Sequence, residues 1–156
     1  MSRSGADLAL LLLGGYRTLV DAVVVELAAR GHPDVRPVHD FAMRAIESGA
    51  ENASELGRRL SVSKQAAAKT IAVLVERGYV ARDADPADAR RKRIQVTPRG
   101  FEVMRQGEAV FDELRARWAQ RLGEQELAAI ESGLTALVGD SPVRIDAPGW
   151  VAHDRD

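Results

Sequence analysis

The chain has 156 residues, of which 46% are hydrophobic and 29% charged. That balance excludes an intrinsically disordered chain, and the length fits one domain while being short for two independent cores. Cysteine is absent, which excludes disulfides, thiolate metal sites, cysteine nucleophiles and thiol redox sensing. The net charge of −1 hides an uneven distribution: residues 51–105 hold twelve Lys or Arg against seven Asp or Glu, and the remainder holds ten against sixteen. All three lysines, Lys64, Lys69 and Lys92, fall in that basic segment.

The first predicted element is a helix from Asp7 to about Arg30, stopped by Gly31, His32 and Pro33. Its Leu, Val and Ala residues cover more than one stripe, which implies packing against two surfaces, one of them offered by another subunit. The apolar run Leu8 to Leu13 is only six residues, lies between charges at Asp7 and Arg17, and has no cleavage site beside it. The expectation is therefore no targeting or membrane segment and a cytoplasmic protein. A second helix begins at Arg36 or Pro37 and ends at Ser48 and Gly49.

Asn52 caps a short third helix, with Glu55 placed to complete a capping box, and that helix ends near Leu60. Ser61, Val62 and Ser63 form a tight turn, and Ser63 caps a fourth helix that runs to Arg77 before Gly78. Helix, three-residue turn, helix is a helix-turn-helix. Tyr79 to Arg82 and Arg91 to Thr97 read as short strands, joined by the acidic, turn-rich stretch Asp83 to Arg90. This hairpin is a wing. Thr97 and Pro98 open a fifth helix with Phe101, Met104, Phe111, Leu114, Trp118 and Leu122 at helical spacing, broken by Gly123. A sixth helix carries Leu127, Ile130, Leu134 and Leu137 as one narrow helix–helix seam, expected to join two subunits. The tail from Gly139 is expected to be irregular, with Trp150 able to dock.

The fold class that follows is mainly α (α+β): a winged helix-turn-helix with six helices, a two-stranded β-wing and a helical dimerisation region drawn from both chain ends. The expected division is an N-terminal dimerisation helix in 1–35, a DNA-binding lobe in 36–100, C-terminal dimerisation helices in 101–139 and a tail in 140–156.

The fourth helix turns Ala67, Ile71, Leu74 and Val75 to one side and Gln65, Lys69 and Glu76 to the other. Such an outer face suits the major groove, where lysine donates to guanine O6 or N7 and glutamine pairs with adenine. Arg90, Arg91, Lys92 and Arg93 form a basic run at the loop exit, and an arginine there suits a narrow, negatively charged minor groove. Asp88 is positioned to hold the Arg90 guanidinium and aim it.

These residues carry a specific resemblance. The stretch from Asn52 to Lys69, then Leu74 to Val80, then Asp85 to Gly100, resembles the MarR family of bacterial transcriptional regulators, and the order of helices extends the likeness over about residues 8 to 138. The resemblance implies a triangular dimer joined by the first, fifth and sixth helices, with a recognition helix and a wing from each subunit. It places Ser63, Lys64, Gln65 and Lys69 on the recognition helix, and Asp88 and Arg90 in the wing Asp-x-Arg motif, with Arg91 and Lys92 beside them. Ala89 departs from the family, which commonly has a further arginine there. A small effector, often an anionic aromatic, is implied between the dimerising helices and the DNA-binding lobe, with Tyr16, Arg17, Arg36, His39 and Phe41 as candidate lining.

The function expected is a homodimeric, sequence-specific regulator, a repressor by preference, on a pseudo-palindromic double-stranded operator. The alternative is a winged helix used for protein contacts or RNA. An enzyme is disfavoured: there is no Gly-rich phosphate loop, His-Glu-x-x-His or Gly-x-Ser-x-Gly motif. No cofactor is expected. His32, Asp34, His39 and Asp40 are dense enough to raise a metal site, but they share no helix face, so none is assigned.

Overall fold

Most helix starts in this protein are set by side chains within reach of exposed backbone N–H groups. The computed structural model describes residues 4–139; the expectations for the tail from residue 140 and for Trp150 lie outside the described residues. Ser4 Oγ accepts the Asp7 N–H at 3.1 Å and Asp7 accepts the Ser4 N–H at 3.0 Å, opening α1 (Gly5–Ala29). Pro37 opens α2 (Pro37–Glu47), where His39 Nδ1 accepts the Arg36 N–H at 3.0 Å. Asn52 accepts the Glu55 N–H at 3.0 Å and begins α3 (Ala53–Leu60). The capping box expected there is displaced: the Glu55 carboxylate accepts from the Glu51 N–H, one residue before the cap.

Ser63 opens α4 (Lys64–Glu76), and Thr97 with Pro98 opens α5 (Pro98–Leu122). Gly123, at φ +101°, separates α5 from α6 (Glu124–Val138). Between α4 and α5, β1 (Val80–Ala84) and β2 (Lys92–Val96) pair antiparallel, with Val80 opposite Val96 and Ala84 opposite Lys92. β1 runs two residues further into the acidic loop than its sequence indicates. Asp83 and Ala84 find partners in Arg93 and Lys92, and Gln95 donates to the Asp83 carboxylate.

The core of the helix-turn-helix lobe is formed by Met43, Ile46, Leu56, Leu60, Ala67, Ile71 and Leu74 from α2, α3 and α4, closed by Val80 and Ile94 of the hairpin. Val23 and Leu27 of α1 join this core with Val103, Val110 and Leu114 of α5. The terminal helices leave much of their apolar surface uncovered: Leu8, Leu10 to Leu13, Phe111, Leu122 and Ile130 are all exposed, and Leu137 is 84% exposed. Of the seam predicted on α6, Leu127 alone is buried within the chain. By length and composition α1 is apolar enough to cross a membrane, while its Val23 and Leu27 side is buried in the core.

Tyr79, buried at the root of the hairpin, joins these parts. Its hydroxyl lies 2.9 Å from Nδ1 of the buried His32, in the α1–α2 corner. The Arg99 guanidinium sits 5.3 Å from the centre of its ring and donates to the carbonyls of Arg77 and Gly31. The Tyr79 carbonyl accepts the Thr97 N–H at 3.0 Å and backs onto Gly100, where a Cβ would collide with that oxygen and with Val96.

Two outcomes follow from this junction. Gly100→Ala forces backbone apart and is expected to lower unfolding stability by about 2–4 kcal/mol, measured by urea denaturation. Burial, and then the nearby Arg99 charge, hold the His32 pKa below its ordinary 6.5. The unfolded chain therefore takes up a proton that the folded chain refuses, so stability is lost as pH falls below about 6.5 toward the depressed folded value. The thermal midpoint of the wild type is expected to drop between pH 7 and 5 more than that of His32→Gln; parallel curves would remove His32 as the cause.

Candidate nucleic-acid interface

The turn between α3 and α4 is tight because two residues permit it. Ser61 adopts a left-handed conformation at φ +54°, and Gly57 on α3 faces the turn, where a Cβ would lie 3.0 Å from the Val62 carbonyl. The Val62 N–H donates back to Gly57 O at 2.9 Å. Ser63 Oγ then accepts the Ala66 N–H at 3.0 Å, fixing the first turn of α4. Ala67, Ile71 and Leu74 are buried against the lobe, while Ser63, Lys64, Gln65, Ala68, Lys69, Ala72 and Glu76 are exposed. The first turn of α4 holds no acidic side chain, so the positive helix end and Lys64 reinforce each other. Small alanines between the polar residues leave the backbone of this outer face accessible.

The wing tip is ordered by its own backbone and aspartates. Asp85 N donates to Arg91 O at 2.8 Å, and Asp85 Oδ1 accepts the Ala87 N–H at 2.9 Å. Asp88 Oδ1 accepts the backbone N–H of Arg90 at 3.0 Å. This corrects the expectation that Asp88 holds the Arg90 guanidinium: Asp88 shapes the turn, and the Arg90 side chain is exposed with Arg91 and Lys92. Arg93 turns back to pair with Glu51 and Asp85, while the Ile94 N–H donates to Glu51 O at 3.1 Å. The basic run thus divides into three exposed cations and one strut that ties the start of β2 to the α2–α3 linker.

A second feature lies between α1, α2 and α5. A cavity of about 110 Å³ is lined chiefly by Val20, Val23, Val24, Leu27, Val35, Met43, Val103 and Phe111, with Tyr16, Arg36, Asp40, Phe41 and Arg44 also in its wall. Tyr16, Arg36 and Phe41 were expected there. Arg17 is exposed on α1 and outside the lining, and His39 is buried as the cap of α2. The polar pair that sequence reasoning missed is Asp40 and Arg44, whose separation of four residues on one helix was the available signal. Arg44 Nε donates to Asp40 at 2.7 Å and its Nη2 donates to Glu108 on α5 at 3.0 Å. Burial works against the Arg44 charge, but the two carboxylates outweigh it and raise its pKa.

His32 and His39 are committed to Tyr79 and to the Arg36 backbone. Among the described residues no three potential metal ligands gather.

A capped α3–turn–α4 unit followed by a two-stranded hairpin defines a winged helix-turn-helix protein. The sequence profile of the MarR family matches residues 44–91, from the middle of α2 to the exit of the wing loop. Over that segment the chain is similar to the MarR family, and its fold is that of the solved structures that follow. The YusO protein of Bacillus subtilis shares the fold with a TM-score of 0.67 at 19% identity, covering 87% of this chain and 98% of its own. A mutant of MepR from S. aureus, solved bound to an oligodeoxyribonucleotide, gives 0.61 at 16% identity over 83% and 94% of the two chains. CouR from Rhodococcus jostii, solved bound to p-coumaroyl-CoA, gives 0.58 at 21% identity over 91% and 99%. No curated protein matches the chain in sequence.

Proposed function

We propose that this chain is a cytoplasmic, homodimeric transcriptional repressor that binds a pseudo-palindromic operator and is released by a small effector. The observation that carries the reading is the exposed set Lys64, Gln65 and Lys69 on a rigidly capped α4, followed by a wing that exposes Arg90, Arg91 and Lys92. Residues 36–100 are the DNA-binding lobe in this reading. Gln65 and Lys69, with Ser63 and Lys64 at the helix start, read base edges and phosphates in the major groove. Arg90 enters the minor groove, aimed by the turn that Asp88 holds, with Arg91 and Lys92 on phosphate.

Dimerisation is assigned to residues 1–35 and 101–139. The support is the apolar surface that α1, α5 and α6 leave uncovered, with Leu8, Leu10 to Leu13, Phe111, Leu122, Ile130 and Leu137 all exposed. Two-fold pairing sets two recognition helices about one helical turn apart. The cavity between α1, α2 and α5 is assigned to the effector, an anionic aromatic by preference, because it lies between the proposed dimer frame and the DNA-binding lobe. That MepR has been solved with an oligodeoxyribonucleotide and CouR with p-coumaroyl-CoA supports both assignments.

The test is fluorescence anisotropy with a duplex from the region upstream of the chain's own coding sequence and an unrelated duplex, at several salt concentrations. Preferential binding that weakens steeply with salt is expected. Lys69→Ala and Arg90→Ala are each expected to weaken it about tenfold, with unchanged helical circular dichroism. Absence of binding to either duplex at low salt would favour a protein-contact role instead.

A further inference from the structure

We infer that Glu51 is a positioning residue for the minor-groove contact: through Arg93 it fixes the wing against the helix-turn-helix, so removing this acidic side chain weakens DNA binding. The inference rests on the reading of the lobe as a DNA-binding unit with Arg90 in the minor groove. Glu51 lies in the linker between α2 and α3, where both its backbone and its side chain are engaged. Its N–H donates to the Glu55 carboxylate in the first turn of α3 at 2.9 Å, and its carbonyl accepts the Ile94 N–H of β2 at 3.1 Å. Its carboxylate pairs with the Arg93 guanidinium. One residue thus fastens the first helix of the helix-turn-helix to the strand that leaves the wing loop.

From Arg93 the connection continues to the tip. The guanidinium also lies 4.0 Å from the Asp85 carboxylate. Asp85 accepts the Ala87 N–H at 2.9 Å and donates its own N–H to the Arg91 carbonyl at 2.8 Å. Asp88 then accepts the Arg90 N–H at 3.0 Å. A series of ion pairs and hydrogen bonds therefore runs from α3 to the backbone of Arg90. The Tyr79 and Thr97 contact holds the hairpin at its other end and does not restrain the tip, because two strands alone are marginal in water.

The pair is open to water, with 43% of the Arg93 side chain and 38% of the Glu51 side chain exposed. Such a pair adds little to stability, so its loss leaves the lobe folded. Its effect lies in orientation: a wing already held where Arg90 meets the groove loses less freedom on binding. Charge alone has the opposite effect. Glu51 is a negative group in a segment that holds twelve Lys or Arg against seven Asp or Glu, and the duplex is a polyanion. Neutralising Glu51 would lessen repulsion and free Arg93 for a phosphate. Positioning and bulk charge therefore predict changes of opposite sign.

Fluorescence anisotropy with the duplex that the wild-type chain enriches from a random-sequence pool tests this, on the full chain and its variants. Glu51→Gln keeps the size of the side chain and both backbone bonds. It is expected to leave the circular-dichroism melt unchanged and to weaken duplex binding about fivefold. In an Arg90→Ala background the same substitution is expected to change nothing, because the side chain it positions is gone. Arg93→Gln breaks the pair from its other side and is expected to show the same dependence on Arg90. Glu47→Gln, at the exposed end of α2, removes an equal charge from the lobe and is expected not to weaken binding. Unchanged or tighter binding by Glu51→Gln, or an equal loss with and without Arg90, overturns the inference and leaves the DNA-binding reading standing. Failure of the wild type to enrich any duplex removes the DNA-binding reading and the inference together.

Discussion

The backbone junction at Tyr79 governs how the wing is carried. Its carbonyl accepts from Thr97 while the bare Cα of Gly100 packs against it, so β1, the end of β2 and the start of α5 meet at one peptide group. Its ring and hydroxyl extend the same junction to Arg99 and to His32 in the α1–α2 corner. The wing root therefore cannot tilt without disturbing the start of α5 and the end of α1. The hairpin has only two strands, which alone would be marginal in water. The bond from Ile94 N to Glu51 O and the Arg93 ion pairs give it a further edge to rest on, and the exposed cations at its tip are presented from a fixed base.

The second constraint is apolar surface. The lobe buries its own core, with Leu56, Leu60 and Leu74 at most 1% exposed, whereas the terminal helices do not finish burying theirs. In the proposed dimer this surface is closed by a second copy, and the distance between recognition helices is then set by the terminal helices. The cavity lies where those helices meet the lobe, so in the proposed reading an occupant acts on that spacing without touching DNA.

The local chemistry of this fold was legible in the sequence. Ser63, Asn52 and Thr97 cap the helices they were expected to cap, because a cap depends on a side chain and an N–H three residues away. The alternation around Ile94 and Val96 located β2 because one face of a strand is buried. What the sequence hid was non-local. Nothing near Arg93 marks it as the strut among four adjacent cations, since Glu51 is brought to it by the fold. His32 looked like a turn residue or a metal ligand because Tyr79 is distant in the chain. At the cavity the Asp40–Arg44 spacing on α2 is a local signal, but the tie from Arg44 to Glu108 on α5 is made by the fold and has no mark in the sequence. On α6 the spacing of Ile130 and Leu137 located a face, but not which molecule covers it.

The proposed two-fold reading of DNA is tested most directly by selecting duplexes from a random-sequence pool with the purified chain and reading the enriched sequence. The account predicts an inverted repeat whose half-site centres lie about one helical turn apart, roughly 34–36 Å. An enriched direct repeat, a single unrepeated site, or no enrichment would contradict it.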